Sequence, residues 1–144
     1  MPPDAARFIA EARAWLGTPW RHQASARGQG CDCIGLVKGA AEAAGLAAVD
    51  EAEWRAEAAY PRAGTMRRLV RGCDRHLIRV VGPPRPGDIL VFALQGEPQH
   101  LGILTEAGTI VHADSVRAAV VETAIPPEAR IAGAWRLPAL SVAR

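Results

Sequence analysis

Three residues in this chain combine the types and settings that nucleophilic catalysis needs. Cys33 stands in Gly30-Cys31-Asp32-Cys33-Ile34-Gly35-Leu36-Val37, where the sequence predicts the start of a helix. Unpaired backbone N–H groups and the positive end of the dipole at such a start stabilise an anion. A thiol there is expected to have a lowered pKa and more thiolate, the nucleophilic form. Gly35, one turn along, leaves room for another segment to approach. The competing reading is a small buried cysteine that happens to follow a loop.

His100 opens His100-Leu101-Gly102-Ile103-Leu104. Strand alternation puts His100, Gly102 and Leu104 on one face, and Leu101, Ile103 and Thr105 on the other. Gly102 leaves space for a neighbour beside the histidine. His112 interrupts the apolar run Ile110-Val111-His112-Ala113, where a polar side chain needs a reason. Either histidine alone also reads as a hydrogen-bonded core or surface residue. A cysteine at a helix start followed by two strand histidines is the pattern of a thiol nucleophile with a base and an orienting group.

The elements that must position these residues come in two blocks. Asp4 to Leu16 has Phe8, Ile9, Ala12, Trp15 and Leu16 at helical spacing, with Gly17 as the stop. Thr18 to Gly30 is polar and rich in small residues and reads as a surface loop. A second helix runs from Cys33 to Gly45, with Asp32 as its N-cap, Gly45 at C′ and Ile34, Val37, Ala41 and Ala44 as its apolar stripe. Weaker helical patterns cover Asp50 to Ala59 and Thr65 to His76, the latter with Met66, Leu69 and Val70 on its apolar side. After the rigid Gly82-Pro83-Pro84-Arg85-Pro86-Gly87-Asp88 turn the chain becomes β-rich. The expected strands are Ile89 to Leu94, His100 to Thr105, Thr109 to Ala113, Ala119 to Thr123 and Ile131 to Leu137. Helices first and strands after predict an α+β fold with an antiparallel sheet.

Composition narrows the function classes. The 144 residues suit one domain spanning 1–144, and the 49% hydrophobic content, much of it alanine, suffices for one modest core. No stretch approaches a membrane span. The start Met1-Pro2-Pro3-Asp4 lacks the basic and apolar regions of a secretory signal, which implies synthesis in the cytoplasm. Net charge is +2, Lys38 is the sole lysine, and the arginines are spread among 15 acidic residues, so no nucleic-acid stripe exists. Three cysteines are too few for a disulfide scaffold and fit a reducing compartment.

Five motifs together resemble the NlpC/P60 family of cysteine peptidases. They are Leu16-Gly17-Thr18-Pro19-Trp20, Asp32-Cys33-Ile34-Gly35-Leu36-Val37, Pro86-Gly87-Asp88-Ile89-Leu90-Val91-Phe92, His100-Leu101-Gly102-Ile103 and Ile110-Val111-His112-Ala113. They cover about Phe8 to Leu137, and the match is most similar to the short branch found in phage tails and gene transfer agents. The resemblance implies a papain-like α+β fold, with N-terminal helices packed on an antiparallel sheet. It also implies a peptidoglycan endopeptidase acting on stem peptides, usually between D-glutamate, through its γ-carboxyl, and a diamino acid. By motif, Cys33 matches the nucleophile, His100 the base, and His112 the polar residue that orients His100. Asp32 matches the acid before the nucleophile, expected at the substrate-recognition side as well as at the helix cap. Trp20 replaces a usual tyrosine near the oxyanion, and Ile34 a common serine; both departures bear on substrate detail. Neither a cofactor nor a metal is implied. The implied partners are the stem peptide and phage-like tail-tip or baseplate proteins, with the chain carried on such a particle to the cell wall.

Other readings stay open at this level. Cys31, Cys33, His100 and His112 could ligate zinc, although Cys-x-Cys is tighter than the usual spacing. A Cys31–Cys33 disulfide would be strained and would silence the nucleophile. Cys31 otherwise reads as a bystander, and Cys73 as a thiol without a role. His22 reads as a solvated loop residue, His76 as a helix-end residue, and Trp15, Trp54 and Trp135 as core or interface. A different class of function is a structural tail or baseplate module with little or no hydrolase activity. A third is an acyltransferase on the same fold.

Overall fold

A computed structural model of the chain describes residues 1–46, 65–94 and 97–141. Helix α1 is Pro3–Ala14, started by a proline, whose missing N–H costs nothing in the first turn. Two short strands, β1 (Ser25–Ala26) and β2 (Gly30–Cys31), form a hairpin. Helix α2 follows at once as Cys33–Ala43. Its C-terminus closes at Gly45, whose φ of +74° is the left-handed conformation that glycine adopts without penalty. Helix α3 is Thr65–His76, matching the sequence expectation. The expected helix over Asp50 to Ala59, and Trp54 within it, lie outside the described residues.

The remaining strands are β3 (Ile78–Arg79), β4 (Ile89–Leu94), β5 (Glu97–Leu104), β6 (Thr109–Asp114), β7 (Ala119–Ala124) and β8 (Arg130–Arg136), and helix α4 is Pro138–Ser141. One six-stranded sheet results, in the order β3-β8-β4-β5-β6-β7, with every neighbouring pair antiparallel. The expected α+β architecture, N-terminal helices on an antiparallel sheet, is therefore what the chain forms.

Alternation in the strands sorts the core. Ile89, Val91, Leu101, Ile103, Val111 and Ala113 meet the helices, which contribute Phe8 and Ile9 from α1 and Leu36 and Val37 from α2. Leu90, Phe92, Ile110 and Ala134 form a second buried cluster on the opposite face. The two helices approach closely because residue 39 is glycine. A Cβ there would lie 2.2 Å from the ring of Trp15, itself buried. Leu69 of α3 is also fully buried.

The segment from Thr18 to Gly30 differs from the surface loop its composition suggests. Thr18 is buried, and its hydroxyl accepts the Gly28 N–H at 2.9 Å. Gly17 and Trp20 donate backbone N–H groups to Val120 and Ala118, and Val120 donates back to Thr18. On its other side the same stretch bonds to β2: Cys31 donates to Pro19, and Arg21 donates to Cys31. The segment thus joins the β7 edge of the sheet to the hairpin that leads into α2. Polar side chains used inward hide this order from a reading of composition.

The turn before β4 is pinned by an ion pair whose carboxylate is buried and whose guanidinium is partly exposed. Asp88 is fully buried, and its carboxylate accepts from Arg136 Nε at 2.7 Å and Nη2 at 2.8 Å, and from the Arg85 N–H at 2.8 Å. The carboxylate raises the Arg136 pKa further above its ordinary value. Arg136 is thus a structural arginine of the turn and not a solvated surface charge. Arg13 of α1 likewise bridges Glu106 and Glu122, tying the helix to the β6–β7 end of the sheet.

Candidate active site

Asp32 caps α2 as its position predicts. One carboxylate oxygen accepts the Gly35 N–H at 2.9 Å and the other accepts the Gln23 N–H at 2.8 Å. To present that N–H, Gln23 takes a φ of +58°, unusual for a residue with a side chain. Gly35 is required by contact. A Cβ there would lie 2.0 Å from the Ala24 carbonyl oxygen, and the Gly35 carbonyl accepts from Ser25 Oγ at 2.8 Å. The hairpin and the first turn of α2 are therefore locked together, with Cys33 as the first helical residue.

Of the three cysteines, Cys33 alone is only half-buried; Cys31 and Cys73 are fully enclosed in the core. Burial pushes the Cys73 thiol far up, and the nearby Cys33 adds to this. Cys73 is thus held as a neutral thiol, and Cys31 is a core residue of β2. Neither has the exposure that a nucleophile needs. Trp20 lies alongside Cys31 in a parallel bridge and packs part of its ring on the core. His22 is exposed, with its ring 6.3 Å from that of Trp20.

The two histidines meet. His100 Nε2 and His112 Nδ1 are 2.6 Å apart, with the rings edge to face. Gly102 leaves room beside the pair: a Cβ on it would sit 3.3 Å from the His112 Cβ, a tight contact. Both rings are nearly sealed from solvent, at 3% and 1% exposure. Phe92, paired with His100 across β4 and β5, presents its edge to both, at 5.0 Å and 6.2 Å between centroids. Thr123 closes the chain of contacts, its Oγ1 lying 3.0 Å from His112 Nε2. Neither Phe92 nor Thr123 is visible as a site residue in the sequence. Each reaches the histidines through strand pairing, and the only sequence signal is the parity of Phe92 with Leu90.

Burial sets the protonation of His100. The penalty on a charged imidazole in this enclosure pushes its pKa down from the ordinary 6.5 to about 4, with the Asp114 charge pulling weakly the other way. The ring is therefore neutral, and competent to accept a proton, at any pH well above 4. A consequence for stability follows. Below pH 6.5 the unfolded chain takes up a proton that the folded chain refuses until about pH 4, so folding stability falls as pH drops through that window. The loss reaches roughly 3 kcal/mol by the low end. Chemical denaturation at pH 7 and pH 4.5 should show a smaller pH dependence in His100→Asn than in the native chain. Equal pH dependence in the two proteins would remove burial of this ring as the cause.

No group of three or more His, Cys, Asp or Glu residues that could hold a metal occurs among the described residues. The zinc arrangement of Cys31, Cys33, His100 and His112 is thus not assembled. The helix α2 packs against β5 and β6, the strands that carry the two histidines. A thiol at a helix start, a neutral buried imidazole and a second imidazole bonded to it can together perform acyl transfer through sulfur.

Comparison with known proteins agrees with this architecture. The model of the NlpC/P60 family matches residues 17–132. The chain is similar to NlpC1 from Trichomonas vaginalis, with a TM-score of 0.66, 18% identity, and coverage of 93% of this chain and 44% of that one. It is similar also to the peptidoglycan hydrolase RipB from Mycobacterium tuberculosis, with a TM-score of 0.57, 15% identity, and coverage of 94% and 67%. A third similar structure is RipD from the same organism, a non-catalytic NlpC/p60 domain protein adapted to peptidoglycan binding. Its TM-score is 0.60 at 13% identity, over 94% of this chain and 98% of that one. At such identities the likeness establishes the fold. The chain thus spans less than half the length of NlpC1. No curated protein matches the sequence.

Proposed function

Because this chain belongs to the NlpC/P60 family, we propose that it is a cysteine peptidase that hydrolyses peptidoglycan stem peptides. The observation that carries this reading is the buried His100–His112 pair, with His100 held neutral, on the strands against which the Cys33 helix packs. The ladder between β5 and β6 runs through Ile103–Val111 and Leu104–Ile110.

In the proposed mechanism Cys33 Sγ attacks the scissile carbonyl as its proton passes to neutral His100. His100 then gives that proton to the leaving amine, which yields an acyl-enzyme and a free amino product. Water attacks the thioester with His100 as base, releasing the acid and restoring the thiol. His112 orients the His100 ring. The Cys33 backbone N–H and the Trp20 indole N–H stabilise the oxyanion, one such donor being worth ~3 kcal/mol. Asp32 holds the helix start and borders the recognition side.

The bond we assign is the one between the γ-carboxyl of D-glutamate and the diamino acid. The route to the wall we assign is carriage on a phage-like tail tip; the motif resemblance supports both. Digestion of defined stem peptides by the native chain tests the activity, with product masses marking the bond. Two fragments whose masses sum to substrate plus one water are expected. An undigested but bound substrate would favour a binding module, a reading for which the likeness to RipD is the specific support. Transfer to an added amine in place of water would indicate an acyltransferase. Detection of the chain in purified particles tests the location.

A further inference from the structure

The imidazole of His100 has two nitrogens, and Nε2 is committed to His112 Nδ1 at 2.6 Å. The Cys33 proton must therefore be received at Nδ1. For Nδ1 to carry a lone pair in the neutral ring, the ring proton must sit on Nε2, which then donates to His112. His112 Nδ1 must accept, so the His112 proton must sit on Nε2. That nitrogen faces Thr123 Oγ1 at 3.0 Å. A hydroxyl can donate or accept at this contact; for this tautomer it accepts, its own proton turned away from the ring.

We propose that Thr123 is a positioning residue: by accepting from His112 Nε2–H, its hydroxyl satisfies the buried donor of the His112 tautomer that leaves His100 Nδ1 unprotonated. This rests on the hydrolase reading, which puts the Cys33 proton on His100 Nδ1, while the tautomer itself is measured independently of activity. The proton balance is simple. The Cys33 S–H bond breaks, an Nδ1–H bond forms on His100, and the Nε2–H bonds of both rings persist throughout. Without the hydroxyl, a buried His112 Nε2–H loses its acceptor, which favours the tautomer protonated at Nδ1 that donates to His100 Nε2. The His100 proton then moves to Nδ1, and the base is blocked.

The groups around the pair are compatible with this assignment. Phe92 is apolar. Asp114 on β6 favours protonation of His100 through its charge, and its carboxylate accepts from the Val116 and Arg117 backbone and the Arg117 guanidinium. Glu122, next to Thr123, is held by Arg13 and by the Thr109 hydroxyl. Cys33, from the end of α2, is the remaining titratable neighbour in the proposed mechanism.

The test reads the tautomer directly, by long-range nitrogen–proton correlation of the histidine rings in uniformly ¹⁵N-labelled native chain, Thr123→Ser and Thr123→Val. The expected native pattern for His112 is a protonated Nε2 and an unprotonated Nδ1, kept in Thr123→Ser and averaged toward the other tautomer in Thr123→Val. The rate of Cys33 alkylation by iodoacetamide and kcat/KM on stem peptide should each fall about tenfold in Thr123→Val and recover in Thr123→Ser. A His112 protonated on Nδ1 in the native chain overturns the proposal, as does a Thr123→Val pattern identical to native. If the native tautomer is as expected but no peptide is cut, the hydrolase reading fails and the tautomer assignment stands.

Discussion

Replacing Cys33 with alanine is expected to reduce stem-peptide cleavage by roughly four orders of magnitude or more, with the fold intact. The size follows from the chemistry. Without the sulfur no acyl-enzyme forms, and the buried imidazoles have no proton to move. The fold should tolerate the change because the side chain is only half-buried and alanine is the best helix former at the first position of α2. Cys31 and Cys73 cannot substitute, since both are enclosed in the core and burial keeps the Cys73 thiol neutral. Digestion followed by mass spectrometry, with circular dichroism on the same sample, measures both halves. Turnover that persists in a folded Cys33→Ala protein would dismiss this sulfur as the nucleophile.

Asp88→Ala is expected to cost about 3 kcal/mol of stability, the low end for a broken buried pair, because it leaves the largely covered Arg136 guanidinium without its carboxylate. It also removes the acceptor for the Arg85 N–H, which opens the turn that launches β4. At this chain length such a loss lowers the thermal midpoint by about 10 °C or more. A double variant, Asp88→Leu with Arg136→Met, should recover much of the loss, because it removes the orphaned charge along with its partner. Thermal unfolding of the two variants beside the native chain measures this. A midpoint for Asp88→Ala within about 2 °C of native would mean that the pair is not holding the turn. Activity would fall together with stability, since β4 carries Phe92 against the two histidines.

What could be read from the sequence follows the range of the forces involved. The bounds of α3 and β4 agree with expectation, because helical spacing and strand alternation between Gly and Pro are local signals. The Asp32 cap was equally legible, as a side chain answering a backbone group three residues on. Gly35 and Gly102 announced close approach, though not what approaches: the Ala24 carbonyl in one case and the His112 Cβ in the other. The β1–β2 hairpin and β3 were missed, since strands of two residues have no period to detect. Phe92 and Thr123 were missed for a different reason. Their contacts depend on the strand order β3-β8-β4-β5-β6-β7, a product of the whole chain's packing that no window of residues encodes.

The stretch from Gly17 to Arg21 bonds on one side to Val120 and Ala118 and on the other to Cys31. It works as a seam that makes the small hairpin and the large sheet one cooperative unit. The hairpin cannot breathe alone: unzipping it from this stretch bares the outer strand of the sheet as well. Sub-global opening in this half of the molecule is therefore all or nothing, and the protons on the Cys31 and Val120 amides should leave for solvent at matching free energies.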